Sequence, residues 1–247
     1  MLIRCDRHTK EDLDAWAILE RQDIILSRLS GLVEREREAV ETIRDFLATR
    51  SRSYAGVSWG KDSVVVAGLI AMHNIDVPLV WVKVEPIENP HCALVRDAFL
   101  GRFPGVRYTE IVERCESSGG HTGILERGFK RAAGMFGPCY VSGVRGAESG
   151  KRKKRMMASG TDTKYTCAPI GWWKTEHVFA FLQKHDLPVH PAYAMTGGGR
   201  WDRNRLRVAS IGGSRGSALG RTVWEKTYYR RELEAAYGPT AHIDGAL

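Results

Sequence analysis

Apolar residues recur at spacings of three and four through residues 11–49, from Leu13, Trp16, Ala17 and Leu19 to Ile24, Ile25, Leu29, Val33, Val40, Ile43, Phe46 and Leu47. That period lines them along one side of a helix, so the pattern predicts one or two amphipathic helices, able to pack on the domain or on a second subunit. The pattern then changes to short apolar runs separated by helical stretches. Strands are expected at 54–58, 79–85, 106–112 and 139–144, with helices at 61–73, about 90–102 and about 122–135 between them. Asn89 and Pro90 read as the cap and first position of the second of these helices. Farther on, Thr175 reads as an N-cap ahead of an apolar face made by Val178, Phe179, Phe181 and Leu182. A last helix is expected from about Thr222 to Tyr237, with Trp224, Tyr228, Leu233 and Tyr237 as its stripe. Strands alternating with helices of this length imply an α/β fold, an open, mostly parallel five-stranded sheet flanked by helices, with ligands at the carboxyl ends of the strands. Three segments follow: N-terminal helices at 1–50, the sheet domain at 51–195, and an Arg- and Gly-rich extension at 196–247.

The first strand runs into Ser58, Trp59, Gly60, Lys61, Asp62 and Ser63 and then into the apolar start of a helix. A small-residue turn of this kind aims unpaired backbone N–H groups at one point, and the helix dipole makes that point attractive to an anion. Ser58 and Ser63 add hydroxyl donors, Lys61 a point charge, and Asp62 an acceptor able to hold Mg²⁺ through phosphate oxygens or water. The spacing fits neither the Walker A loop nor GxGxxG, and alone it reads equally well as a plain connection. The fourth strand runs into Gly143, Val144, Arg145, Gly146, Ala147, Glu148, Ser149, Gly150, Lys151 and Arg152, the pattern GxRxxESxxR. Its arginines can fork onto phosphate or sulfate, with Glu148 placed to orient one of them; Lys153 and Lys154 read as part of a solvated face. A third segment, Ala168 to Thr175, combines Pro169, Ile170, Trp173 and Thr175 ahead of its helix, and Leu187, Pro188 and His190 to Tyr193 follow it.

These three ordered segments resemble the phosphoadenosine phosphosulfate (PAPS) reductase family, a branch of the PP-loop ATP pyrophosphatase superfamily with a HUP-like, Rossmann-like fold. The resemblance covers roughly residues 50–195 and implies an adenine nucleotide, ATP with Mg²⁺ or PAPS, at Ser58, Gly60, Lys61, Asp62, Ser63, Gly143, Arg145, Glu148 and Ser149. It implies catalytic roles for Lys61, Asp62, Arg145 and Arg152, and a metal contact for Asp62. It also makes Val84 and Glu85, at the end of the second strand, candidates for contacts to adenine and to ribose or substrate. The chain has glutamate there where the family usually has aspartate, and Trp59 where relatives usually have a second glycine. A side chain of that size must point away from the phosphates, toward the nucleotide crevice or a partner.

Cysteine separates the activities within the family. Cys5, Cys92, Cys115, Cys139 and Cys167 form no CxxC and no zinc spacing, so neither a disulfide framework nor a metal cluster is indicated. The family's reductases carry their thiol in a C-terminal tail; this chain has no cysteine after Cys167, and its tail reads Ala241, His242, Ile243, Asp244, Gly245, Ala246, Leu247. No iron–sulfur cluster is expected, and PAPS reduction would need Cys139 or Cys167, expected to flank the crevice, as a substitute thiol. The resemblance therefore favours cleavage of ATP to AMP and pyrophosphate to activate an acceptor for sulfur transfer, nucleic-acid thiolation being one such use. PAPS reduction and a nucleotide-binding module without turnover are the alternatives.

Of the 247 residues, 43% are hydrophobic and 27% charged, enough for a core that needs no disulfide or metal. No stretch approaches the roughly 18 apolar residues of a membrane span, and a cytoplasmic protein without membrane contact is expected. The net charge of +8 favours anionic partners: nucleotide, and nucleic acid or a sulfur-donor protein besides. Arg200, Arg203, Arg205, Arg207, Arg215, Arg221, Arg230 and Arg231, with Trp201 among them, have the composition of a nucleic-acid groove and equally of a solvated surface. Gly197, Gly198, Gly199, Gly212, Gly213, Gly216 and Gly220 keep this stretch loop-like.

Overall fold

The N-terminal pattern resolves into two helices, α1 (Lys10–Ser27) and α2 (Ser30–Ala48). Thr9 and Asp12 cap α1 reciprocally, each side chain accepting the other's backbone N–H. The structure is a computed structural model that describes residues 1–114, 121–208, 210–212 and 221–238, the side chains of 121 and 122 excepted. Cys115, Gly213, Arg215, Gly216, Gly220 and the tail from Ala241 to Leu247 lie outside the described residues.

The alternation that follows is β1 (Ser53–Val57), α3 (Lys61–Met72), β2 (Leu79–Glu85), α4 (His91–Arg102), β3 (Tyr108–Arg114), α5 (His121–Phe136), β4 (Cys139–Ser142), α6 (Gly150–Ser159), β5 (Thr166–Cys167) and α7 (Thr175–Lys184). All five strands are parallel, in the order β3-β2-β1-β4-β5. Two helix starts differ by one residue from the sequence reading. Lys174, not Thr175, is the N-cap of α7, and α4 begins at His91, with Asn89 Oδ1 accepting the His91 N–H. The expected C-terminal helix is two, α8 (Arg221–Tyr228) and α9 (Arg230–Tyr237), broken at Tyr229, whose ring is fully buried and hydrogen-bonded to His91.

Strand residues alternate between two buried faces. Ala55, Val57, Leu79, Trp81 and Val141 join the main core with α2, α3, α4 and α7, while Tyr54, Val80, Val82 and Ile111 pack with Ala132 of α5 on the other side. Because β2 and β3 lie to one side of β1 and β4 and β5 to the other, the chain reverses direction between β1 and β4. A parallel sheet opens a crevice at such a switch point, above the strand carboxyl ends, and the segments after β1 and β4 border it.

The C-terminal segment closes against α1 through buried polar contacts. Asp12 accepts from Gly197 N–H (2.7 Å) and from Tyr228 Oη (3.0 Å). Asp23 takes both terminal nitrogens of Arg203, at 2.6 and 2.8 Å, and the guanidinium lies 4.0 Å from the Phe179 ring centre. Burial pushes the Asp23 carboxyl up from its ordinary value in spite of Arg203, so desolvation outweighs attraction in this pair. Asp23→Ala, which strands a buried guanidinium, is expected to cost about 3–5 kcal/mol in denaturant unfolding, whereas Asp23→Leu with Arg203→Met recovers most of it.

Candidate functional site

The loop after β1 is built to present backbone donors. Gly60 caps α3, Val64 N–H donates to Gly60 O (3.0 Å), and Ser63 Oγ also donates to that carbonyl (3.0 Å). Ser58 N–H donates to Ser63 Oγ (3.2 Å), which closes the turn on itself. The Lys61 N–H is taken by the Tyr193 phenol (3.1 Å). The N–H groups of Gly60, Asp62 and Ser63 have no partner among the described residues. Three unpaired donors at the positive end of a 12-residue helix form an anion cradle.

Arg145 joins the three sequence motifs. Its side chain is 1% exposed. Nε donates to Asp62 Oδ1 (2.6 Å) in the first motif, and Nη1 and Nη2 donate to Trp173 O (2.9 Å) and Thr175 Oγ1 (3.3 Å) in the third. Arg145 itself belongs to the second motif, and Glu148 of the same motif accepts its backbone N–H at 3.0 Å. Gly143 shows how closely the two loops approach: a Cβ there would lie 2.7 Å from Asp62 C and 2.8 Å from Ser63 N. Lys61 is held as firmly, with Nζ 3.1 Å from Asp62 Oδ2 and 5.0 Å from the centre of the buried Tyr193 ring, whose phenol burial pushes up. Both Asp62 oxygens thus face cations. Arg145 is enclosed in protein bonds rather than open to phosphate, and Arg152 pairs with Glu148 at the rim.

The Trp59 side chain turns away from the donor face of the loop, as its size requires, but toward neither the crevice nor a partner. Trp59 points into the core, fully buried, with its ring 5.6 Å from those of Phe99 and Tyr108 and edge-on to Trp81. Its φ of 57° lies in the left-handed region, a strained conformation outside glycine that this aromatic contact offsets. Behind Ser58 lies a buried trio. Cys92 Sγ is 3.6 Å from Ser58 O, 3.7 Å from Glu88 Oε1 and 3.8 Å from His190 Nε2. Because His190 Nδ1 accepts the Ala192 N–H, Nε2 carries the imidazole proton and donates toward the sulfur. Burial pushes the Cys92 thiol well up and favours neutral His190, so the thiol sits in the support of the loop in its protonated form.

At the end of β2 the acidic residue facing inward is Glu88, not Glu85. Glu85 is 41% exposed and pairs with Lys83, while Glu88 accepts the N–H groups of Val84 and Asn89, and burial pushes its carboxyl up. The period of β2 carries no information about the turn beyond it, so the strand pattern does not single out Glu88. Cys139 and Cys167 do not flank the crevice. Cys139 pairs with Ser53 at the amino end of the sheet, and the Cys167 thiol faces α2 and is pushed by burial up to about 12. The arginine cluster is not one surface either, since Arg203 is buried on Asp23, Arg221 pairs with Glu225, and Trp201 stacks edge-on to Tyr228. The segment around Arg207 instead crosses the crevice. Arg207 Nη2 donates to Glu148 O (2.5 Å), a Cβ on Gly60 would lie 3.7 Å from Val208 Cβ, and Ile211 N–H donates to Ile87 O (2.7 Å).

Fold and loop together define an α/β protein with unpaired backbone donors at the switch point of a parallel sheet. Residues 129–217 match the phosphoadenosine phosphosulfate reductase domain. A PAPS reductase of Xanthomonas axonopodis pv. citri is 24% identical over 154 residues, covering 55% of this chain and 64% of that protein, just under two thirds of its length. One from Xylella fastidiosa is 24% identical over 72 residues. Over these stretches the chain is similar to PAPS reductases. Among solved structures, a PAPS reductase from Candida auris aligns with TM-score 0.46 and 13% identity over 70% of this chain and 87% of that one. The U34-tRNA thiolase NcsA from Methanococcus maripaludis aligns with TM-score 0.44 and 16% identity over 83% and 77%. Both values are too low to carry an argument. No helix of the described residues is long and apolar enough to cross a membrane.

Arg145→Lys keeps the charge but loses the fork, so it is expected to lower the unfolding midpoint as well as anion binding, by about 2–4 kcal/mol in denaturant titration. A pH dependence follows from the buried histidines. Burial holds His91 down to about 4 and His190 well below its ordinary value, against about 6.5 when unfolded. The unfolded chain therefore binds more protons as pH falls, so this stability is complete above pH 6.5 and is lost toward pH 4. The His91 share is at most about 3 kcal/mol, and denaturation at a series of pH values, with His91→Gln reducing the slope, checks it.

Proposed function

We propose that the protein is a cytoplasmic PP-loop ATP pyrophosphatase that activates an acceptor for sulfur transfer. The observation that carries this reading is the cradle of unpaired N–H groups at Gly60, Asp62 and Ser63. In this reading the cradle and the α3 dipole hold the β,γ-pyrophosphate, leaving the α-phosphorus open toward the crevice between β1 and β4. An acceptor oxygen attacks that phosphorus in line. The bond to the α,β-bridging oxygen breaks, pyrophosphate leaves with the electron pair, and the acceptor proton passes to solvent. The adenylylated acceptor is then open to a sulfur nucleophile, which displaces AMP. Lys61 opposes the charge that develops on pyrophosphate, and Asp62 fixes Lys61 and Arg145 in place.

Arg145 is a positioning residue here, and Arg152, tethered by Glu148, stands at the rim, where it can reach an acceptor or the α-phosphate. The described residues hold no group of three or more His, Cys, Asp and Glu side chains suited to a metal ion, so the fit is to an ion brought in by the nucleotide. Mg²⁺ bound in that way would neutralise phosphate charge, and Asp62 is the candidate to hold it through phosphate oxygens or water. Val84 and Glu88, at the end of β2, are the candidates for adenine and ribose contacts.

The domain match favours a second reading, reduction of PAPS with sulfite release. The buried thiols of Cys92, Cys139 and Cys167 count against it. Purified protein with Mg·ATP and a sulfur acceptor is expected to form AMP and pyrophosphate. Lys61→Ala should lower that rate about 100-fold and Asp62→Asn by a similar factor. Thioredoxin-dependent sulfite from PAPS with no pyrophosphate from ATP would reverse the choice, and nucleotide binding with neither product would leave a module without turnover.

A further inference from the structure

Helix α6 is electrostatically unfavourable as an isolated element. Residues 151–155 are all cations, and none of its ten residues is acidic. Arg152 is neutralised by Glu148, but Lys151, Lys153, Lys154 and Arg155 have no ion-pair partner among the described residues. They crowd the first half of the helix, where the dipole already places positive charge. At about 100° per residue, with Met156 buried beneath, Lys151, Lys154 and Arg155 share the outward side at i, i+3 and i+4, the spacing at which like charges repel. Nothing within the described chain relieves this arrangement, whereas a bound polyanion would.

The surroundings narrow the choice of polyanion. Helix α6 starts directly after Glu148 and Ser149 on the lip of the crevice, and Arg207 adds an exposed guanidinium there through its bond to Glu148 O. Beneath the helix, Gly146 N–H donates to Gly171 O (2.8 Å). The next residue, Trp172, is 50% exposed, while Trp173 beside it is buried. An acidic protein would satisfy the cations but leave an open indole without a role, and a membrane surface needs an apolar stripe that the outward face of α6 lacks. Cations that follow a phosphate backbone beside an aromatic face on which a base stacks are the requirements of single-stranded nucleic acid.

We propose that the outward face of α6, with Arg207 and Trp172, binds single-stranded nucleic acid at the lip of the crevice. The surface stands on its own charges and aromatic; its role as the acceptor's docking face rests on the ATP-cleavage reading above.

The test is fluorescence anisotropy of the full chain with labelled single-stranded RNA and DNA of about 20 nucleotides over a salt series. Reversing Lys151, Lys154 and Arg155 together to Glu is expected to weaken binding at least tenfold and to flatten the salt dependence by about 2 in log–log slope, since each single-strand phosphate contact contributes roughly 0.7. The same variant should melt no lower than the wild type, because acidic residues in the first half of α6 are favoured by the helix dipole, which offsets the repulsion among the three. Trp172→Ala should weaken binding about tenfold with the salt slope unchanged.

Reversal of Lys226, Arg230 and Arg231 to Glu, an equal change of charge on exposed positions of α8 and α9, should leave affinity within twofold. The proposal fails if the wild type binds neither oligonucleotide, if it binds polyglutamate or anionic vesicles instead, or if both reversal variants lose affinity equally. Pyrophosphate release without oligonucleotide, expected to be the same in wild type and the α6 variant, reads the cleavage reaction separately. Its absence with oligonucleotide binding intact would overturn that reaction and leave this surface standing.

Discussion

The fold of the site depends on one buried guanidinium. Arg145 is enclosed at the switch point of the sheet, where it bonds Asp62 after β1 and the backbone and hydroxyl of Trp173 and Thr175 before α7. An arginine removed from water is tolerated only when its donors are taken up, and here three polar groups from two distant segments take them up. The three motifs are therefore one constellation. If the guanidinium were withdrawn, the loop after β1 and the entry to α7 would each lose a partner, and the turn after β4 its tie to both.

A second constraint acts from below. The turn at Ser58–Ser63 exposes donors upward only because Trp59 is driven downward, with its strained φ held by contact with Phe99, Tyr108 and Trp81. Cys92 and His190 complete that floor at the Ser58 carbonyl. Where a glycine would leave the turn free to flex, the indole anchors it to β2, β3 and α4, so the cradle is preorganised before any anion arrives.

The C-terminal segment converts the open crevice into a covered one. Gly197 and Arg203 fasten its start to α1, Arg207 and Val208 pass over the lip and the cradle, and Ile211 bonds Ile87. Arg203, Arg207, Val208 and Ile211 lie within residues 129–217, which match the phosphoadenosine phosphosulfate reductase domain, so the resemblance runs past residue 195, where the motifs alone ended it.

Strand and helix periods, the two strand-to-helix turns and the ordering of the three motifs were legible in the sequence, because each is set by local spacing and by the chemistry of neighbouring residues. The four long strands and the helices between them lie within two residues of their expected bounds, and the parallel sheet follows from their alternation. Side-chain direction was not legible. Whether Trp59 faces ligand or core, whether Cys139 lies near the crevice or at the opposite end, and whether Arg145 grips phosphate or Asp62 are set by partners remote in sequence: Phe99 and Tyr108, Ser53, and Asp62. Local sequence carries the period of an element but not what its side chains meet across the sheet; burial and pairing at that distance are decided only when the chain closes on itself.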